Sequence, residues 1–134
     1  MRGWRLESGG YSIPLLPGLS AWSTKDGTKW NVEFTIEDGK DQDEIFTLRV
    51  PFAKGSAPEL DALVAKGMTV AAKTKDGVEV TYSLAGAAWR QRRQLVPLEP
   101  DALLLITAQA SDARAAKVLA LADQLARETR PAPH

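Results

Sequence analysis

The pattern of apolar and polar positions along the chain is dominated by period-two alternation. Val32, Phe34 and Ile36 alternate with polar residues in one segment, and Val78 and Val80 do so in another. Such alternation is typical of antiparallel strands with one buried face. Residues 5–14 predict a short edge strand that leads into a proline-punctuated loop, because Pro14 and Pro17 do not fit a central strand. Turn residues separate the later alternating runs and predict strands at residues 18–24, 30–37, 45–52, 68–73, 78–84, 88–98 and 102–110. The last run is apolar on both faces, which predicts a central, covered strand.

Two segments have helical rather than strand periodicity. The first, at residues 56–67, begins with Ser56 as a candidate N-cap and Glu59 completing a capping box. The second, at residues 112–129, is expected to begin after Ser111 as its cap. Its apolar positions recur at helical spacing: Ala115, Val118, Leu119, Ala122 and Leu125. The order of elements predicts an α+β fold, a curved antiparallel sheet with two helices packed on it.

The tetrapeptide Thr-Lys-Asp-Gly occurs at residues 24–27 and again at 74–77. Asp-Gly between alternating runs is a hairpin signal, because both residues tolerate the positive φ of a tight turn. Each copy is followed by further strand and then by a predicted helix. Two interpretations stay open: a duplicated βββα unit, or two good turn sequences that match by coincidence.

Composition narrows the chemistry that the chain can perform. Its 134 residues contain 17 basic and 17 acidic side chains, no cysteine and a single histidine, His134. A chain of this length forms one domain, residues 1–134. Disulfides, thiol catalysis, a histidine-based triad and cysteine-based metal sites are excluded. No phosphate-binding or dinucleotide-binding motif is present either. We therefore expect no enzyme activity, no cofactor and no metal.

The beginning of the sequence bears on where the protein is located. The first ten residues contain no apolar run, whereas a secretory signal needs one of roughly 7–15 residues. No stretch approaches the roughly 20 apolar residues that span a bilayer. We expect a cytoplasmic protein without stable membrane anchoring, in which residues 131–134 form a disordered tail.

A basic segment beside Trp89 has two interpretations. Residues 90–94 read Arg-Gln-Arg-Arg-Gln. Arginines beside an aromatic ring are typical of surfaces that bind single-stranded nucleic acid. Long side chains on one strand face can instead pair with carboxylates on neighbouring strands. The net charge of zero favours the second interpretation, and we expect no nucleic-acid partner.

Three segments of the chain form a pattern that occurs in one protein family. They are Arg5-Leu6-Glu7 with Ser12-Ile13-Pro14, the predicted helix after the fourth strand, and Arg93-Gln94-Leu95 with residues 103–107. Together they resemble the DcrB/Eag family over nearly the whole chain. The resemblance implies a Mog1/PsbP-like fold. Because the lipidated cysteine of the exported members is absent, the chain is more similar to the cytosolic branch, the Eag chaperones of type VI secretion.

The resemblance also implies a function. Eag chaperones are homodimers that bind the apolar N-terminal transmembrane helices of secreted, PAAR-tipped effectors and shield them before export. In the family, a glutamine of the Arg-Gln strand hydrogen-bonds the client helix. Gln94 matches that position, and it alternates with Arg92 and Val96 on one strand face.

Further client-binding positions carry over less directly. Trp22 and Thr24 fall where the family has aliphatic groove residues, and Lys66 falls where it has a second glutamine. A charge at Lys66 departs from the family pattern, because a dry groove disfavours it. The alternative function is an immunity or adaptor protein on the same fold that binds a folded partner through a sheet edge or Trp22.

Overall fold

The structure is a computed structural model that describes residues 5–8, 11–14, 16, 18–26, 29–36, 44–51, 67–99 and 102–131. Ten strands and one helix lie in these ranges. The strands are β1 (Arg5–Ser8), β2 (Tyr11–Pro14), β3 (Leu19–Asp26), β4 (Lys29–Ile36), β5 (Glu44–Pro51), β6 (Thr69–Lys73), β7 (Gly77–Leu84), β8 (Ala87–Glu99), β9 (Ala102–Ser111) and β10 (Arg130–Pro131). The helix is α1 (Ala115–Glu128).

Seven of the strands form one antiparallel sheet in the order β3-β4-β5-β9-β8-β7-β6. Two meanders, β3 to β5 and β6 to β9, join where β5 pairs with β9. The prediction of a central last strand is confirmed, since β9 lies between β5 and β8 and most of its residues are buried. The opening segment, predicted as a short edge strand that leads into a loop, instead forms two paired strands, β1 and β2, which make a separate small sheet with β10.

Helix α1 packs on one face of the main sheet. Its buried residues are the predicted ones: Ala115, Val118, Leu119, Ala122 and Leu125. They share a core with apolar residues of β4, β5 and β9, which include Val32, Phe34, Ile45, Leu104 and Ile106. The helical spacing therefore identified the buried face of α1 correctly.

The predicted start of this helix is wrong. Ser111 is the last residue of β9 rather than an N-cap, and it accepts a hydrogen bond from the Arg114 N–H at 2.9 Å. The Asp112 N–H donates to the Ala88 carbonyl at 3.0 Å, which extends the contact between the strands. Arg114 is the N-cap, and no side-chain hydrogen bond caps the helix there. Competition from β-pairing thus moved the helix start towards the C-terminus.

The expected Mog1/PsbP-like arrangement of two helices on the sheet is also wrong. Within the described ranges, a single C-terminal helix, α1, accompanies a predominantly β structure. The other predicted helix falls on residues 56–66, which lie outside the described residues. Only Gly67 at its end is described, in a turn with φ of 93° just before β6.

The duplicated βββα unit is not supported by the two Thr-Lys-Asp-Gly segments. Thr24 and Asp26 belong to β3 and pair with β4, so they precede their turn. Thr74 and Asp76 instead lie within the turn between β6 and β7, where the Thr74 N–H donates to the Gly77 carbonyl at 2.9 Å. The two copies occupy different positions in their hairpins, which is the outcome expected of coincidence.

Candidate functional site

The unequal lengths of β7 and β8 create the candidate site. Gly77, the first residue of β7, pairs with Gln94, and β8 continues beyond this pair to Glu99. The Leu95 N–H donates to the Asp76 carbonyl at 2.7 Å and closes the end of the pairing. Pro97, the next residue of β8 whose N–H would point towards β7, has no N–H group. One edge of β8 is therefore left without a β7 partner beside the last turns of α1.

Gln94 has an unusual environment at this point. Its Oε1 atom is buried and has no hydrogen-bond partner. A Cβ atom added at Gly77 would lie 3.2 Å from Gln94 Cγ and 3.1 Å from the Arg93 carbonyl oxygen. A side chain at Gly77 would therefore require Gln94 or the Arg93 backbone to shift by a few tenths of an ångström. A buried polar atom without a partner costs about 1–3 kcal/mol, so this arrangement calls for a functional explanation.

Two adjoining cavities meet at Gln94. One has a volume of about 300 Å³ and is lined by residues that include Thr74, Gly77, Glu79 and Arg92. The other has a volume of about 390 Å³ and is lined by Asp76, Val96, Pro97, Ala126 and Arg127 among others. Both cavities share Gln94 and Asp123. We call the two together the Gln94 cleft; small and aliphatic side chains form part of its lining, and charged side chains form the rest.

A network of ion pairs holds one wall of the cleft. Arg92 lies between Glu79 of β7, at 2.8 Å, and Asp123 of α1. Arg90 binds the other oxygen of Glu79 at 2.9 Å and Asp112 at 2.6 Å. This confirms the interpretation that the basic segment pairs with carboxylates. The network ties the helix to the sheet, and it uses both oxygens of Glu79.

The pKa directions follow from these contacts. For Arg92, partial burial lowers the pKa, but the hydrogen bonds with Asp123 and Glu79 outweigh it and the net pKa is raised. For exposed Arg90, the hydrogen bonds with Asp112 and Glu79 raise the pKa. Both guanidinium groups therefore stay charged, and neither can act as a base.

The opposite face of the sheet carries a second set of polar side chains, which the sequence reasoning missed. Tyr82 Oη and Gln91 Nε2 both donate to Gln109 Oε1 at 3.2 Å. Gln109 Nε2 donates to Glu44 Oε1 at 2.8 Å, and Arg93 Nε donates to Gln91 Oε1 at 2.8 Å. The chain of bonds crosses β7, β8, β9 and β5. Each side-chain amide in this chain of bonds has a partner, so a structural role accounts for these polar side chains.

Burial is the main cause of the pKa shifts of the titratable groups in this network. Desolvation raises the pKa of Glu44, and the nearby charge of Glu33 raises it further. Desolvation also raises the pKa of Tyr82, as does the charge of Glu44, while Arg93 opposes the shift. The carboxylate of Glu44 is thus the group here whose ionisation depends on the fold at moderately acidic pH.

The structure separates the site residues that the sequence proposed. Arg92, Gln94 and Val96 lie on the α1 side of β8, where Val96 packs on the main core. Trp22 and Thr24 belong to β3, the opposite edge strand, with β4, β5 and β9 between them and β8. At about 4.8 Å per strand, this separation is about 19 Å. Lys66 lies outside the described residues.

The sequence analysis missed several cleft residues because only the tertiary fold brings them together. Asp76 was interpreted only as part of a turn, and Asp123 was not singled out. The structure brings both to the cavity beside Gln94. The available sequence signal was weak: an Asp-Gly turn followed by strands whose lengths differ. No periodicity connects Asp76 to Asp123.

The described ranges contain no cluster of three or more His, Cys, Asp or Glu side chains suited to a metal ion. No helix among them is long and apolar enough to cross a membrane.

The fold defines an α+β protein in which an antiparallel seven-stranded sheet carries a helix on one face. In this respect the chain is similar to LpqN, a protein involved in cell envelope biogenesis of Mycobacterium tuberculosis. The likeness covers 92% of this chain and 83% of LpqN, with a TM-score of 0.53 and 11% sequence identity. It shows a shared fold alone. No protein-family model matches the chain, and no curated protein sequence matches it significantly.

Proposed function

We propose that the protein is a non-catalytic, homodimeric cytoplasmic chaperone that shields the N-terminal transmembrane helices of a secreted type VI effector before export. The observation that carries the proposal is the unpartnered Oε1 of Gln94, at the residue that the family resemblance assigns to client binding. A free chaperone must keep a polar group ready for its client. A buried acceptor without an internal partner meets that requirement. The missing hydrogen bond destabilises the free protein, and binding of the client would supply it.

The lining of the cleft supports a client that is apolar with small residues. Val96, Pro97 and Ala126 supply apolar surface next to Gln94. Helices of membrane proteins associate through small residues and through polar side chains that hydrogen-bond across the contact. Gln94 can offer either a donor or an acceptor to such a helix after rotation of its amide.

The size of the cleft limits how the client binds. An α-helix with its side chains is about 10–12 Å across, which is too large for a cavity of about 300 Å³ or about 390 Å³. The client helix would therefore lie across the mouth of the cleft and insert side chains, as in helix-in-groove recognition.

One observation favours a second candidate function, an immunity or adaptor protein that binds a folded partner. Strand β6 is an edge strand whose residues are all exposed, and Val70 keeps 49% of its surface accessible. An edge strand can pair with a strand of another protein. Here the irregular pairing between Val70 and Ala72, together with Lys73, hinders such pairing.

Co-expression with a reporter tests the proposal. The reporter is a fluorescent protein that carries an N-terminal Leu/Ala helix of about 20 residues, long enough to span a bilayer, with a Gly-x-x-x-Gly pair and one Ser. We expect soluble fluorescence and copurification to require the chaperone. Gln94→Leu should reduce both, whereas Gln124→Leu makes the same chemical change on α1, away from the cleft.

Three outcomes would count against the proposal. The first is a reporter that stays insoluble with or without the protein. The second is equal capture by Gln94→Leu and the wild type, which would remove the assigned site. The third is capture of the fluorescent protein without its apolar helix, which would favour binding of a folded partner.

A further inference from the structure

We draw no further inference here: the strongest candidate, the apolar stripe that Leu48, Leu105 and Leu95 form across neighbouring strands on the face of the main sheet opposite α1, carries none, because nothing in the described ranges shows what covers it.

Discussion

Thr47 and Gln94 both bury polar atoms within the main sheet, but they differ in how those atoms are bonded. Thr47 Oγ1 donates to the Val32 carbonyl at 2.9 Å and accepts from the Val32 N–H at 3.1 Å. It also lies 2.7 Å from the Tyr11 hydroxyl. Gln94 Oε1 has no partner. The polar groups of the first region bond one another, whereas the second region leaves an acceptor for something else.

The bonds of the Thr47 region connect separate parts of the fold. Tyr11 belongs to the small sheet, Val32 to β4 and Thr47 to β5. Burial raises the pKa of Tyr11 despite the hydrogen bonds with Thr47 and Val32, so the phenol stays neutral. A buried polar group with all its partners fixes the relative position of the elements that supply them. We infer from this difference that the bonded groups hold the fold, and we propose that the unbonded group serves a ligand.

The largest effect should come from breaking the Thr47 bonds. Thr47→Val keeps the shape of the side chain but removes the partner of the Val32 N–H and one of the two partners of the Tyr11 hydroxyl. We expect a loss of about 2–3 kcal/mol in the free energy of unfolding. Urea unfolding followed by fluorescence measures it. Thr81→Val is the control, since Thr81 lies on partly exposed β7 and has no side-chain hydrogen bond with a described residue.

An equal response of Thr47→Val and Thr81→Val would remove the distinction between the two regions. It would mean that the Tyr11 and Val32 groups find other partners, so that the bonds to Thr47 do not hold the small sheet on the main one.

The opposite sign is expected at Gln94. Gln94→Leu removes a buried acceptor that has no partner, and leucine fills a similar volume. We expect the free energy of unfolding to rise by about 1 kcal/mol, although the same variant should lose client capture. Urea midpoints at unchanged slope measure the change, with Gln124→Leu as the control for an equivalent substitution on α1.

A loss of stability in Gln94→Leu comparable to that in Thr47→Val would contradict this view. Gln94 would then belong to the structural bonds of the fold, and its role in binding would have to rest on the capture experiment alone.

The elements whose evidence is local could be predicted from the sequence. Alternation located the strands, and helical spacing identified all five buried residues of α1. Starts and ends depended on competition between neighbours: Ser111 continues β9 because its carbonyl and the Asp112 N–H are bonded in turn and strand contacts. Of the two expected helices, the described ranges contain the C-terminal one, and the segment with the capping motif lies outside them except for Gly67.

The candidate site was less predictable for a physical reason. Gln94 could be singled out by resemblance, but its missing partner depends on Gly77, on the length of β8 and on α1 together. Asp76 and Asp123 meet there only through tertiary packing. Trp22 and Thr24 belong to the other edge of the sheet because strand order, which sequence alternation does not encode, places β3 far from β8.

The smallest effect is expected at Glu44. The bonding of its polar group is intermediate between that of Thr47 and that of Gln94. Its carboxylate accepts a hydrogen bond from Gln109, yet partial burial and Glu33 raise its pKa. A raised pKa in the folded state means that the contribution of the carboxyl group to stability is complete below its unfolded value of about 4.3. That contribution is lost as the pH rises through the folded pKa. Glu44→Gln keeps an acceptor for Gln109 and removes the charge, so it should stabilise the protein at pH 7 by a few tenths of a kcal/mol, given solvent screening.

The gain in Glu44→Gln should shrink near pH 4, where the wild-type carboxyl group is mostly protonated in both states. Urea midpoints of the two proteins at pH 4 and pH 7 test this, with Glu128→Gln measured alongside. A difference that is the same at both pH values would show that the hydrogen bond to Gln109, rather than the buried charge, decides the stability here. Glu44 would then behave as a fully bonded group like Thr47, and Gln94 alone of the three would remain exceptional.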